Sequence, residues 1–299
     1  DMQLAFEETY KRTVTKIFPG KKKVILLDRG IMDVKAFVSR DDFNAILRKR
    51  GLNEVGLRDR YNGVIHLVTA ADGAIEFYSG ENNSARLETP EEALGFDHEI
   101  RESWLGHPHF KIIDNRTDFE GKIKRAFAAI SQILNIPTFV EKNDRFLVKD
   151  VDYKKLPVHQ NIQISEIYLR AKDRKEQVRI RKRGQNGSYL YFLTRKKINK
   201  ENESYIEEEE LITEQEFHTL KNLIDPKTTV VEKERICFLW NNQYFELDSY
   251  KGTNEGITIL EAKHVPTFIS IKKNITGDPK YSTRNMARKK TLNDKMLDC

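Results

Sequence analysis

Gln177-Val178-Arg179-Ile180-Arg181-Lys182-Arg183 decides the architecture of the second half of this 299-residue chain. Successive side chains of a strand point to opposite faces, so Arg179, Arg181 and Arg183 share one face while Val178 and Ile180 share the other. Lys233 and Arg235 repeat the two-residue step within an otherwise apolar run, and Lys196 ends another such run. Two arrangements satisfy this pattern. Either the charges face water and the apolar residues fill the interior, or the sheet curls with its charges inside and encloses a cationic tunnel. A tunnel of that kind suits a polyphosphate, because guanidinium forks and ammonium point charges match phosphate oxygens. Basic pairs on one strand favour the first arrangement; their recurrence on several strands favours the second.

Working outward, residues 189–197, 205–212, 230–239, 244–250 and 257–263 read as further short antiparallel strands joined by Gly- and Asn-containing turns. No internal repeat is present, and Glu207 to Glu210 is too short to count as low complexity. The texture changes at Pro137. Before it, helix and strand alternate. Phe6, Tyr10, Val14 and Ile17 recur at helical spacing; residues 24–27 read as a short buried strand; Phe43, Ile46 and Leu47 mark a helix that Gly51 terminates. Residues 64–68 and 110–113 are two more apolar strands. Thr89 with Glu92 and Thr117 with Glu120 are capping boxes that start two helices, the second carrying Phe119, Ile123, Phe127, Ile130 and Leu134 on one face.

The expectation is therefore a chain of two domains: a parallel α/β sheet over residues 1–137, then a mainly β, antiparallel tunnel barrel over 138–290. Open parallel sheets bind ligands outside the carboxyl ends of their strands. Asp28-Arg29-Gly30, Thr69 with Asp72, and Asp114-Asn115 gather there, although any one such Asp is often only a turn or a cap. Asp28, Arg29, Asp114 and Asn115 are the candidate nucleotide ligands. Arg86 and Arg101 are candidate phosphate clamps, with pairing to Glu88, Glu92 or Glu102 the favoured reading for Arg101. His107 and His109, without a third ligand at suitable spacing, read as an ordered loop around Pro108 rather than a metal site.

Composition narrows the function. The chain is 38% hydrophobic and 33% charged, with a net charge of +6. Residues 1–150 carry 24 charges of each sign, so the whole surplus lies in the second half, 28 against 22. This points to a local anionic partner. Nucleic acid ranks last, for want of an aromatic stacking platform. The basic stretch 272–290 reads as solvated surface with a weak membrane-surface contribution. No apolar run approaches eighteen residues and the first ten residues lack a basic, apolar leader, so neither a membrane span nor a signal peptide is expected. Cys237 and Cys299 are too few for a disulfide framework or a four-cysteine zinc site, which suits a reducing, cytoplasmic setting.

The second half resembles a CYTH domain, the triphosphate-tunnel fold of class IV adenylyl cyclases and thiamine triphosphatases. Glu141-Lys142-Asn143-Asp144-Arg145 stands where that family opens with Glu-x-Glu-x-Lys. Arg179-x-Arg181, Thr194-x-Lys196, Lys233-x-Arg235, Asp248-x-Tyr250-x-Gly252, Glu261 and Thr276-Gly277-Asp278-Pro279-Lys280-Tyr281-Ser282 follow in the family's order. The resemblance implies phosphate or headgroup binding by Arg145, Arg179, Arg181, Lys196, Lys233 and Arg235, with Glu141 and Glu261 as the metal-holding carboxylates and Mg2+ as the candidate ion. Asn143, Arg145 and Lys263 depart from the carboxylate pattern, which implies binding in preference to turnover.

The first half resembles P-loop nucleotide-binding proteins of the nucleoside-kinase-like group, on Leu26-Leu27-Asp28-Arg29-Gly30, the lid-like Asn82-Asn83-Ser84-Ala85-Arg86-Leu87-Glu88, and Ile112-Ile113-Asp114-Asn115. No G-x-x-x-x-G-K-[ST] occurs; Gly51 and Gly56 have the glycine spacing but lead to Leu57-Arg58. The architecture is expected to place a first strand and phosphate loop before Asp1. Together the halves resemble the TRPL translocation defect family of insect photoreceptors, on Tyr61 to Ala74, Phe77-Tyr78, Asn82-Asn83 and Trp104-Leu105-Gly106-His107-Pro108. That resemblance implies a regulator that binds GTP or GDP and a phosphoinositide headgroup, peripheral to membranes, in the trafficking of membrane-protein cargo such as an ion channel. The alternative is an enzyme: a nucleoside or nucleotide kinase, or a metal-dependent triphosphatase.

Overall fold

The computed structural model describes residues 2–17, 19–20, 23–78, 88–136, 138, 143–171, 173, 176–198 and 205–289. Period-two alternation builds the second half as one nine-stranded antiparallel sheet. Its strands are β3 (Asp144–Val151), β4 (His159–Leu169), β5 (Glu176–Gln185), β6 (Ser188–Ile198), β7 (Tyr205–Ile212), β8 (Val231–Trp240), β9 (Gln243–Tyr250), β10 (Thr258–Ala262) and β11 (Ile269–Asn274), and they lie in the order β11-β3-β10-β9-β8-β4-β5-β6-β7. Asn186 and Gly187, both at positive φ, turn β5 into β6, and Asn241 and Asn242 do the same between β8 and β9. The sheet keeps two edges, β11 and β7. Among the described residues it is therefore a curled trough open along one side, and not the closed barrel expected from the strand pattern.

Two of the sheet's apolar clusters lie on its convex side, while two more, around Tyr168, Val231 and Tyr250 and around Ile162, Ile164 and Cys237, share the face of the charges. Val178 and Ile180 of β5 pack with Ile167, Leu169, Leu193 and Phe217, the last from helix α6 (Glu214–Lys221), which begins with a Thr213/Glu216 capping box. Phe238, Phe245, Leu247 and Leu260 form a second convex-side cluster with Phe268 and Ile269. The side chains of opposite parity, including every arginine of the 179–183 run, face the concave side.

The first half forms α1 (Met2–Ile17), α2 (Arg40–Arg50), α3 (Glu54–Arg58), β1 (Val64–Leu67), α4 (Pro90–Ser103), β2 (Phe110–Ile113) and α5 (Phe119–Ile133). Strands β1 and β2 pair in parallel, as the alternation of elements requires, and they make up the whole of this sheet among the described residues. Gly51 ends α2 in the left-handed conformation at φ 63°. Thr89 and Glu92 close the capping box of α4.

Three expectations fail here. Residues 24–27 form no strand, and Leu26 is 76% exposed, because no described neighbour completes a ladder for their backbone groups. Helix α5 is capped by Asp118, whose carboxylate accepts from Gly121 N, and not by Thr117. It packs through Ala126 and Ala129 while Phe119 and Phe127 stay exposed. Helix α1 forms at the expected place but buries none of its residues.

The two halves share a buried interface. Arg58, at the end of α3, is wholly buried and pairs with Asp59 at 2.6 Å. Its Nη1 also donates to Leu105 O and to Gln185 Oε1 of β5, each at 3.2 Å. Arg183, the third arginine of the deciding run, donates to Asp59 and to the carbonyl of Gly106. Gly106 is at φ 89°, and a Cβ there would meet Arg58 Nη1 at 2.7 Å and Ile162 Cδ1 at 2.9 Å, so glycine is required on both counts. Tyr244 of β9 packs edge-on against Phe110, ring centroids 5.3 Å apart. Asp59→Asn should leave Arg183 short of its counter-charge and cost about 3–5 kcal/mol. Chemical denaturation of the whole chain will measure this, and both halves should lose stability together.

Candidate functional site

The concave face is where the register brings the charges. Arg179 stands opposite Tyr168, Arg181 opposite Glu166, and Arg235 opposite Asp248. Arg179 pairs with Glu166 at 2.9 Å and Glu207 at 3.6 Å, and Arg181 grips both oxygens of Glu209 at 2.8 Å. Lys196 reaches Glu207 at 3.5 Å. Lys233 sits 2.8 Å from Asp248 and 3.8 Å from Glu166; Arg235 forks onto Asp248 at 2.6 and 2.8 Å and also donates to Glu246. The face is thus a lattice of alternating charge, not a bare cationic lining. Burial opposes ionisation of Asp248 and Glu166, but Arg235 and Lys233 hold the first, and Arg179 and Lys233 the second, below the ordinary carboxylate range.

All six expected cations lie on this one face. Sequence reasoning missed their partners Glu166, Glu207, Glu209 and Glu246, and gave Asp248 no role beyond a motif letter. The signal was there: Glu207/Glu209 and Glu246/Asp248 repeat the same two-residue step as the arginines. The departures at Asn143, Arg145 and Lys263 stand, but carboxylates at other positions, Glu166, Glu207, Glu209, Glu246 and Asp248, line the same face.

Glu261 of β10 lies directly opposite Glu246 on one side and Arg145 on the other. It is solvent-accessible within the trough, yet its surroundings, followed by the charge of Glu246, raise its carboxyl above the ordinary value. Two facing carboxylates repel unless a cation or proton sits between them. Arg145 donates to Tyr281 O at 3.2 Å and so offsets only part of that repulsion. Glu141 lies outside the described residues, as does Arg86.

The α/β half also gathers polar groups, and they bond chiefly to one another, although Asp97 Oδ2 and Arg125 Nε are buried without a hydrogen-bond partner among the described residues. Asn115 donates to Thr69 O and Asp72 O at 2.7 Å and accepts from Lys122 at 2.6 Å, while Asp114 pairs with Arg125 at 2.6 Å. Asp97 of α4 accepts from Thr69 N at 2.8 Å, meets His66 at 3.0 Å, and holds Arg101 at 2.9 Å. Arg101 therefore does pair on its own helix, but with Asp97 and not a glutamate. It also donates to Asn242, whose Nδ2 donates to Asp72 at 2.8 Å. The tip of the β8–β9 hairpin thus sits among the groups at the strand ends of the first half. Asp28 and Arg29 do not join them. They occupy an exposed turn with Arg29 at φ 73°, and among the described residues no side-chain contact links them to Asp72, Asp114 or Asn115. The Gly51/Gly56 pair forms no phosphate loop, since Gly51 caps α2 and Gly56 lies inside α3.

His107 behaves as an ordered loop residue. Its Nε2 lies 3.0 Å from Tyr61 O, and its Nδ1 accepts from His109 N. Among the described residues no three His, Cys, Asp or Glu side chains cluster so as to hold a metal ion by themselves.

Residues 1–122 match a family described as an AAA domain. No curated protein matches the chain. Among solved structures it is similar to the inorganic triphosphatase NE1496, at 22% identity and a TM-score of 0.39, over 49% of this chain and 97% of that one. It is also similar to the PH1819 protein from Pyrococcus horikoshii OT3, at 23% identity and a TM-score of 0.31, over 43% of this chain and 80% of that one. No described helix is long and apolar enough to cross a membrane.

Burial lowers the His107 imidazole from 6.5 to about 4. A depressed folded value means that its contribution is full above about pH 6.5 and is lost as pH falls towards 4. The loss amounts to about 3 kcal/mol. Unfolding midpoints measured across that window should fall more steeply for the wild type than for His107→Gln.

Proposed function

We propose that the trough binds a metal-complexed polyphosphate, a nucleoside triphosphate or inorganic triphosphate, and hydrolyses its phosphoanhydride bond. The alternation of cations and carboxylates on one concave face carries this reading. A uniformly cationic lining suits a bare anion; a mixed lining suits a phosphate chain that arrives with its own divalent ion. Mg2+ is usually held by one or two carboxylates with substrate phosphates completing the shell. Glu246 and Glu261 fit that pattern, because their mutual repulsion is relieved by a hard cation. Such an ion, when bound, would polarise a phosphoryl oxygen.

The chain's own side chains do the remaining work. Arg235 and Lys233 are locked in place by Asp248, so their orientation costs nothing further when phosphate enters. Arg181 and Lys196 lie nearer the open edge at β7, where they meet the phosphate chain first. Hydrolysis adds water oxygen to the terminal phosphorus, breaks its bond to the bridging oxygen, and releases the proton to solvent. The AAA-domain match over residues 1–122 supports a nucleotide as the partner of the first half.

A second reading keeps the trough as a binding site without turnover. It makes the chain a regulator that takes guanine nucleotide in its first domain and a phosphoinositide headgroup in its second, at membranes where cargo proteins are sorted. Asn143, where the CYTH resemblance expects a glutamate, favours it by supplying no anionic ligand.

Phosphate release from inorganic triphosphate and from nucleoside triphosphates, with Mg2+ or Mn2+, separates the two. Turnover that falls about ten- to a hundredfold in kcat/KM for Arg181→Ala supports the enzyme. Glu261→Gln should raise the metal concentration needed for half-maximal rate. In the wild type that concentration should fall as pH rises, because proton and metal compete for the raised Glu261 carboxyl. Stoichiometric headgroup binding with no release under either ion supports the regulator.

A further inference from the structure

Basic side chains also converge at a second place, outside the trough. A cleft of about 500 Å³ is lined by Asp225, Lys227, Thr228, Arg284, Arg288 and Lys289. Two segments some sixty residues apart in sequence build it, and backbone pairing fixes them together. Thr229 N donates to Ala287 O at 2.7 Å, Lys289 N to Lys227 O at 3.0 Å, and Thr228 and Arg288 form a β-bridge. Met286 and Ala287 anchor the frame in the cluster of Tyr168, Val231 and Tyr250, at the end of the trough away from the first domain.

Among the described residues that line the cleft, Asp225 is the only carboxylate, and it is already committed. Asp225 pairs with Arg284 at 2.8 Å and accepts from Lys227 N at 3.0 Å. The Arg284 guanidinium is also held 4.8 Å over the Tyr168 ring. Among the described residues the charge of Lys227 acts on Asp225 without closing an ion pair, and no carboxylate pairs with Arg288 or Lys289. Among the described residues the recess therefore holds four cations against one anion, where in the trough Arg179, Arg181, Lys196, Lys233 and Arg235 each meet a carboxylate. The volume falls in the range of small-ligand sites. Like charges gathered in one recess are stabilised by a multiply charged anion, and phosphate oxygens suit both guanidinium and ammonium donors.

We propose that this cleft is a second anion site, separate from the trough, that takes a ligand bearing phosphate monoesters or a short phosphoanhydride, free in solution or displayed on a lipid headgroup. It accounts for part of the basic stretch 272–290, which the sequence alone assigns to solvated surface.

Two arms test it on the whole chain. In the first, inorganic pyrophosphate is titrated calorimetrically in the presence of EDTA. In the second, the protein is floated with phosphatidylcholine vesicles containing phosphatidic acid. The double variant K227A/R288A alters exposed side chains and should keep the wild-type unfolding midpoint and triphosphate turnover. It should weaken binding about tenfold or more in whichever arm the wild type binds, and K227R/R288K should restore it. Binding of pyrophosphate alone identifies a free ligand, and binding of vesicles alone a headgroup. The proposal is overturned if wild type binds in neither arm or if K227A/R288A binds as wild type does. It is equally overturned if Arg181→Ala, in the trough, abolishes the binding while K227A/R288A spares it. Because the cleft variant leaves the trough intact, loss of turnover and loss of cleft binding are read independently.

Discussion

Charge removed from water must find an opposite charge, and that constraint shapes the β half of this protein. Leaving a partly buried guanidinium unpaired costs several kcal/mol, more than any single apolar contact on the convex side returns. The strands therefore carry acids and bases at matching heights: Glu166 between Arg179 and Lys233, Asp248 between Lys233 and Arg235. Once those heights are set, a one-residue slip of any strand would turn its charges onto the convex side and its apolar residues into the lattice. The ion lattice thus enforces the register that the apolar clusters alone would leave less sharply defined.

Much of this was legible from alternation. Strands β5 to β10 appear within a residue or two of where the alternating runs put them, whereas β3 and β4 are displaced or longer and β11 was not foreseen, and the six basic residues do share a face. What alternation could not supply was the sign of the environment. The acidic steps at Glu207/Glu209 and Glu246/Asp248 carry the same information as the arginines. Reading the cations alone turned a balanced lattice into a cationic tunnel. Weighing both signs on each strand before assigning a face would have found the carboxylates.

The first half was less legible for a different reason. A hydrophobic pattern says which face of an element seeks cover; whether anything covers it depends on the neighbours. Residues 24–27 have the composition of a buried strand, and α1 has an apolar stripe, yet Leu26, Phe6 and Tyr10 are exposed among the described residues. Likewise Thr69, Asp72 and Asn115 gather at strand ends, where a ligand is expected, but bond to one another, to Lys122 and to Asn242. Proximity was readable; the bonds these groups make among themselves were not.

Arg58, Asp59 and Arg183 have a bearing on how the chain can be divided. The arginine that completes the deciding run of β5 finds its counter-ion in the other half, so a fragment beginning after residue 137 would carry a guanidinium built for the dark and left with no mate. Its natural escape is to splay that end of β5 away from its neighbours β4 and β6. Severed halves would then be poor surrogates for the intact molecule, and should recover their shape only on being mixed.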